Sequence, residues 1–368
     1  MADEVLTRRA LNRALLARQM LLRREKISAV DAVERLAGMQ SQAPNPPYVG
    51  LWTRLEGFRH EELSQAVRDR AVVRMALMRS TIHLATASDA LELRPLVQPV
   101  LERGLRSAYG KRLEGLDLAE VAAAGRTLVE EEPRTFAELG AALGERWPGR
   151  DPAALAQAVR TFVPLVQVPP RGLWGVSGQA AHTSAEAWLG RPLAAPSAEE
   201  MVLRYLAAFG PATVKDAQVW SGISRLREVF AALRPRLCTF RDEDGNELFD
   251  LPCAPRPDPG TPAPARFLPE WDNVLLSHAV RTRILADEHR PRVFTVNGII
   301  LGTVLLDGFV AGTWKIVRGR GTAALHVEPF APLSGPDRAA VEEEGAGLLA
   351  FAAADARAHA VHLASPAG

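Results

Sequence analysis

The stretch Ser197–Leu251, SAEEMVLRYLAAFGPATVKDAQVWSGISRLREVFAALRPRLCTFRDEDGNELFDL, decides the fold. Ser197 stands three residues before Glu200, a capping pair that opens the apolar run MVLRYLAAFG. Gly210-Pro211 stops that run, because proline offers no N–H and clashes with the preceding turn. Thr213 and Asp216 open a second, short helix, and Ser224 is expected to cap a third, RLREVFAALRP. RLCTF and NELFDL then read as two strands joined by a turn from Asp242 to Gly245. Three helices followed by a two-stranded wing make the winged-helix form of helix-turn-helix.

The same order recurs upstream. Thr135-Phe-Ala-Glu138 repeats the capping box of Thr213, 78 residues earlier. A long helix is expected from near Ser88 and another over Leu118–Glu131. Asp151-Pro152 supplies a cap and an N1 proline for AALAQAVRTF. The wing of this copy is read as LVQV-PPRG-LWGV, Leu165–Val176. A first copy comprises an amphipathic helix Arg9–Met20, a helix from Ser28 to about Met39, a helix Glu61–Arg70 and wing strands Val72–Met78 and Thr81–Ala85. The fold class is therefore α+β. Residues 1–87, 88–196 and 197–253 form three tandem winged helices and 254–266 a proline-rich linker. Residues 267–368 form a β-meander or open barrel, in which RVFTVNG is one strand, with a closing helix over about Pro336–His359.

Composition narrows the function. With 47% hydrophobic and 24% charged residues, the 368-residue chain is an ordinary globular one. No apolar run reaches membrane-spanning length, and MADEVLTRRALNR has no signal-peptide core, so a cytoplasmic protein is expected. Cys238 and Cys253 supply neither a metal cluster nor a disulfide framework. Net charge is only +1, yet residues 1–112 hold 19 Lys+Arg against 12 Asp+Glu. Such clustering suits an anionic partner, although solvated arginine faces would give the same count.

Within the first copy, GMQSQAPNPPYVGLW (Gly38–Trp52) sets Gln40 and Gln42 two residues apart, before a proline segment expected to be a stiff, non-helical loop. Amides donate and accept hydrogen bonds but do not titrate, so the pair can orient a water or a sugar oxygen. The plainer reading is two exposed loop residues or helix C-caps. In RSTIH, Arg79 and His83 are candidates for phosphate or lesion contact, with a hydrogen-bonded strand histidine as the competing reading of His83. Two hairpin tips, Asn297-Gly298 and Gly319-Arg320-Gly321, could enter a groove. The second is preferred for Arg318 and Arg320, with Trp314 and Lys315 just before it. Asp272 and Asp307 fit turn and cap roles better than catalysis. His278, His289 and His326 lack metal-ligand spacing.

The segments GMQSQAPNPPYVGLWTRL, LMRSTIHLAT, RDEDGNELFDLP, RFLPEWDNVLLSH and LLDGFVAGTWK, in this order, resemble the AlkZ/YcaQ-type winged-helix DNA glycosylase family over nearly the whole chain. The resemblance implies a C-shaped arrangement of three winged helices and excision of N7-alkylated guanine, including bulky adducts and interstrand crosslinks. It implies a role in DNA repair or in self-resistance to a genotoxic natural product. Gln40 and Gln42 match the catalytic signature of the two-glutamine, AlkZ-like branch. Ser41 departs from it, standing where the family carries an apolar residue; a serine there is harmless if it faces away from the site. The expected enzyme is a monomer acting on double-stranded DNA that carries N7-alkylguanine, with no cofactor, no metal, no membrane partner and no lyase activity. Gln42 is assigned to water positioning and Gln40 to the water or the deoxyribose. A non-enzymatic winged-helix regulator and a lesion- or drug-binding protein are the alternatives. A regulator should prefer one DNA sequence, whereas a glycosylase should bind with sequence-tolerant, salt-dependent affinity.

Overall fold

The computed structural model describes residues 4–365. In the first module, β1 (Val5–Leu6) leads into α1 (Arg8–Arg18), capped by Thr7. Ser28 caps α2 (Ala29–Arg35), accepting from Asp31 N. Gly38, at φ +84°, turns the chain from α2 into β2 (Met39–Gln40), a conformation that costs an L-residue but not glycine. There follow α3 (Pro46–Trp52), α4 (His60–Arg68), β3 (Val72–Ala76) and β4 (Ile82–Thr86).

Next come α5 (Ala87–Leu96), α6 (Gln98–Tyr109) and α7 (Leu118–Glu131). Then α8 (Phe136–Arg146) opens on the reciprocal box of Thr135 and Glu138, and α9 (Pro152–Phe162) on the Asp151 carboxylate. Strands β5 (Leu165–Gln167) and β6 (His182–Ser184) and the short α10 (Ala185–Leu189) close this part. The third copy runs α11 (Ala198–Phe209), α12 (Val214–Ser221), α13 (Arg227–Leu233), β7 (Cys238–Asp242) and β8 (Glu247–Asp250). The last block runs β9 (Arg266–Leu268), α14 (Arg290–Val293), β10 (Gly302–Leu306), β11 (Phe309–Gly319), β12 (Thr322–Pro329), α15 (Gly335–Ala352) and β13 (Ala358–Leu363).

Three sheets organise these elements, in the strand orders β2-β4-β3-β5-β6, β1-β7-β8 and β13-β12-β11-β10-β9. The first two wings thus share one sheet, joined where Arg74 pairs with Gln167 and Met75 with Val166. β1 adds a parallel strand to the third wing, Val5 opposite Arg241. α1 rests on the same module, its buried Leu15 and Leu16 joining Tyr205, Phe209 and Trp220 in the largest core. Arg18 seals that contact through a fully buried pair with Asp250 at 2.7 Å. The last sheet is an open antiparallel meander until β13, which pairs parallel with β12.

Several expectations need correction. Pro46 and Pro47 do not hold a loop; they occupy the first turn of α3, where a missing N–H costs nothing because helix-start N–H groups are unpaired anyway. The second wing does not return through LWGV but at His182–Ser184, and Trp174 instead stacks on His60 with ring centroids 4.0 Å apart. The helix near Ser88 is two helices, α5 and α6, meeting at Val97. Ser224 does not cap α13, which starts at Arg227 after Leu226. RVFTVNG contributes α14 and a single bridge from Phe294 to Ile300 rather than a strand. The closing helix ends at Ala352, and residues 358–363, which include His359, form an edge strand instead.

Candidate active site around the paired glutamines

Gln40 ends an edge strand of the first sheet, and Gln42 lies in the short bend between that strand and α3. Gln40 sits opposite His83 in the β2–β4 pairing, and Ser41 N continues the ladder to Ile82 O at 2.7 Å. Gln42 lies one residue beyond the ladder, in the bend that follows it. Ser41 is fully buried, and its Oγ accepts from Arg74 Nη1. Arg74 Nη2 donates to Ser41 O at 2.9 Å and its Nε to Gln167 Oε1 at 3.1 Å. The serine that departs from the family pattern therefore faces away from the amides, onto an arginine that rivets the strand. Burial lowers the Arg74 pKa to about 10, which leaves it charged at neutral pH.

Both amide oxygens are already engaged. Gln40 Oε1 accepts from Arg79 Nη2 at 2.7 Å, and Gln42 Oε1 accepts from the Ile82 backbone N–H at 2.9 Å. Since both partners can only donate, the oxygens face them, and the two NH2 groups are left to face outward as donors. Gln40 is 8% exposed and lines a narrow cleft with room for about one water; Gln42, exposed, lies outside that lining.

The opposite wall of the cleft is PEWDN, Pro269–Asn273. Asn273 stitches it to the Gln strand: its Nδ2 donates to Gly38 O at 2.8 Å, and its Oδ1 accepts from Gln40 N at 3.3 Å. Asp272 accepts from Arg54 Nη2 at 2.9 Å and from Val274 N at 3.0 Å, both side chains of the ion pair being buried. Trp271 holds a left-handed backbone at φ 56°, a conformation that persists only where the surroundings fix it. Glu270, half-buried between them, has a carboxyl pKa raised by desolvation.

Sequence candidates for DNA contact divide. His83 is fully buried, its Nδ1 on Thr81 O at 3.0 Å; burial and the nearby Arg79 charge lower its pKa to about 3. Facing the interior, it can touch neither phosphate nor lesion, and the strand-histidine reading holds. Arg79 also turns inward, to Gln40 and to the Trp220 carbonyl, from a left-handed backbone at φ 57°. Burial and Arg281 lower its pKa to about 10, so it remains a cation, hydrogen-bonded to Gln40. Arg318 is tied to Asp355 at 2.6 Å and to Ala352 O at 3.2 Å. Lys315 and Arg320 are exposed on the β11–β12 hairpin, without an ion-pair partner among the described residues. Asp307 pairs with Arg9 at 2.5 Å and with Arg13, a structural role as expected.

Sequence reasoning missed Arg74, Asn273 and Glu270. Apart from the turn or cap role of Asp272, nothing local in PEWDN announces that it lies against residues 38–40. No group of three or more His, Cys, Asp or Glu among the described residues could hold a metal ion.

The family model described as DNA glycosylase AlkZ-like matches residues 33–351. An interstrand DNA cross-link repair glycosylase from Streptomyces sahachiroi is 27% identical over 355 residues, covering 89% of this chain and 92% of that protein. The solved structure of S. sahachiroi DNA glycosylase AlkZ superposes with a TM-score of 0.80 at 23% identity, covering 98% of this chain and all of the other, so the two share a fold.

Proposed function

The chain belongs to the family of AlkZ-like DNA glycosylases, and from that premise we propose that it hydrolyses the N-glycosidic bond of N7-alkylguanine in double-stranded DNA, bulky adducts and interstrand crosslinks included. The observation that carries the reading is the pair of amides with pinned oxygens, whose NH2 groups remain as donors, Gln40 lining a cleft and Gln42 exposed two residues on. An N7-alkylguanine is already cationic and leaves as a neutral base, so no acid is needed at the base. What the reaction needs is a placed water and a supported sugar. Positioning of this kind can supply up to about 7–11 kcal/mol. The NH2 groups of Gln40 and Gln42 would donate to the water or to deoxyribose oxygens.

The cleft at Gln40 is too narrow to swallow a base, so the lesion would be worked on from outside it, which suits adducts too large to be flipped into a snug site. The relative from S. sahachiroi is an interstrand crosslink repair glycosylase by name, and the same role in repair or self-resistance is proposed here. The protein is proposed to act as a monomer in the cytoplasm, with Lys315 and Arg320 gripping the backbone.

The test is incubation of wild-type protein with one duplex carrying N7-methylguanine and another carrying a bulky N7 crosslink. Mass spectrometry reads free base, and denaturing gels read strand breaks. Free base with intact abasic strands is expected. Release of no modified base from either duplex would end this reading.

A further inference from the structure

The donor-only presentation of the two glutamines leaves a gap in the reaction. A water that attacks C1′ must give up a proton, and an amide N–H cannot take one. A carboxylate at the cleft could accept it faster than solvent does. Of the charged side chains lining it, Arg54 and Asp272 neutralise each other at 2.9 Å, and the Asp272 carboxylate also accepts from Val274 N. Glu270 is different. It lines the same cleft as Gln40, three residues before the Asn273 side chain that binds both Gly38 and Gln40. Its carboxylate has no hydrogen-bond or ion-pair partner among the described residues.

Resting on the glycosylase reading given above, we infer that Glu270 is the general base of the reaction, the carboxylate that accepts the proton of the attacking water. The water oxygen forms a bond to C1′ as the C1′–N9 bond breaks. The electron pair of that bond moves into the cationic ring and leaves a neutral N7-alkylguanine. The water proton passes to a Glu270 oxygen, and the sugar retains a hydroxyl at C1′. Before the proton moves, the same negative charge stabilises the oxocarbenium character that grows on the sugar, a task performed by paired carboxylates in glycoside hydrolysis. Desolvation of the carboxyl raises its proton affinity toward the working pH, which suits a base. The left-handed backbone at Trp271 and the buried Arg54–Asp272 pair fix the segment that carries it.

The experiment compares wild type, Glu270→Gln and Glu270→Asp in single-turnover release of N7-methylguanine from duplex DNA across pH, with duplex affinity measured alongside. Glu270→Gln should slow release about 10²–10⁴-fold at neutral pH, the range of general-base catalysis, with unchanged duplex affinity. Wild type and Glu270→Asp should share an acid limb, the rate falling as the carboxylate protonates, and Glu270→Gln should lack it. A Glu270→Gln protein that releases base at the wild-type rate overturns the inference, as does one that is slowed with its acid limb intact. If wild type releases no base at all, it is the glycosylase reading of the cleft that has failed, and the role of Glu270 falls with it.

Discussion

Replacing Arg79 with methionine separates amide positioning from phosphate contact. In the structure its guanidinium donates to Gln40 Oε1 at 2.7 Å and to the Trp220 carbonyl. A hydrogen bond to a charged partner contributes about 1.5–3 kcal/mol. At about 1.36 kcal/mol per power of ten in rate, full use of that bond to orient the amide makes Arg79→Met about 10- to 150-fold slower. Methionine keeps most of the stem, so the packing loss is small. The freed Trp220 carbonyl costs about 1–3 kcal/mol of stability, read from urea unfolding. The assay is single-turnover release of N7-methylguanine at saturating enzyme, with duplex affinity measured by anisotropy. A slower chemical step at unchanged affinity is expected. Weakened affinity with a normal chemical step would refute the positioning role and return Arg79 to phosphate contact.

Ser41→Val adds bulk at a fully buried position against Arg74 and should cost about 1–3 kcal/mol in urea unfolding, with slower base release as the amides shift. His83 and His182 are held neutral in the fold by burial, their pKa values lowered to about 3 and about 4 against about 6.5 when unfolded. Below pH 6.5 the unfolded chain therefore binds protons that the native one does not. The stability present above that pH should fall as pH drops, by up to about 1.4 kcal/mol per unit for each histidine. Urea midpoints at pH 7.5 and pH 5 check this, and His83→Phe should flatten the dependence. Lys315→Ala and Arg320→Ala should weaken DNA binding evenly across sequences, each reducing the slope of log affinity against log salt by about 0.9 if it contacts one phosphate.

The helices were legible because their starts carry chemistry. Thr135–Glu138, Thr213–Asp216 and Asp151-Pro152 each satisfy orphan N–H groups with side chains adjacent in sequence. Strand partners carry no such local mark. That β3 and β5 join two wings, that β1 reaches the third wing, and that residues 358–363 pair parallel with β12 depend on contacts between distant segments. The prolines at 46 and 47 were misread for a related reason: proline stops a helix or starts one, and only the chain around it decides which. At the site, Gln40 and Gln42 were visible as a pair. Arg79 and His83 stand about forty positions from that pair, and a basic residue near an expected DNA site looks the same in sequence whether it faces out or in. Here burial decided, and His83 went to the interior. Asn273 and Glu270 lie more than 200 positions from Gln40, and only the fold brings them there.

The claim that two pinned amides aim the attacking water is tested most directly by single-turnover base release from an N7-methylguanine duplex with Gln40→Ala, Gln42→Ala and the double variant. Misplacing a reactant by even an ångström costs about 10²-fold, so each single variant should lose at least that much while folding and DNA affinity persist. A double variant that releases the base at the wild-type rate would contradict the account.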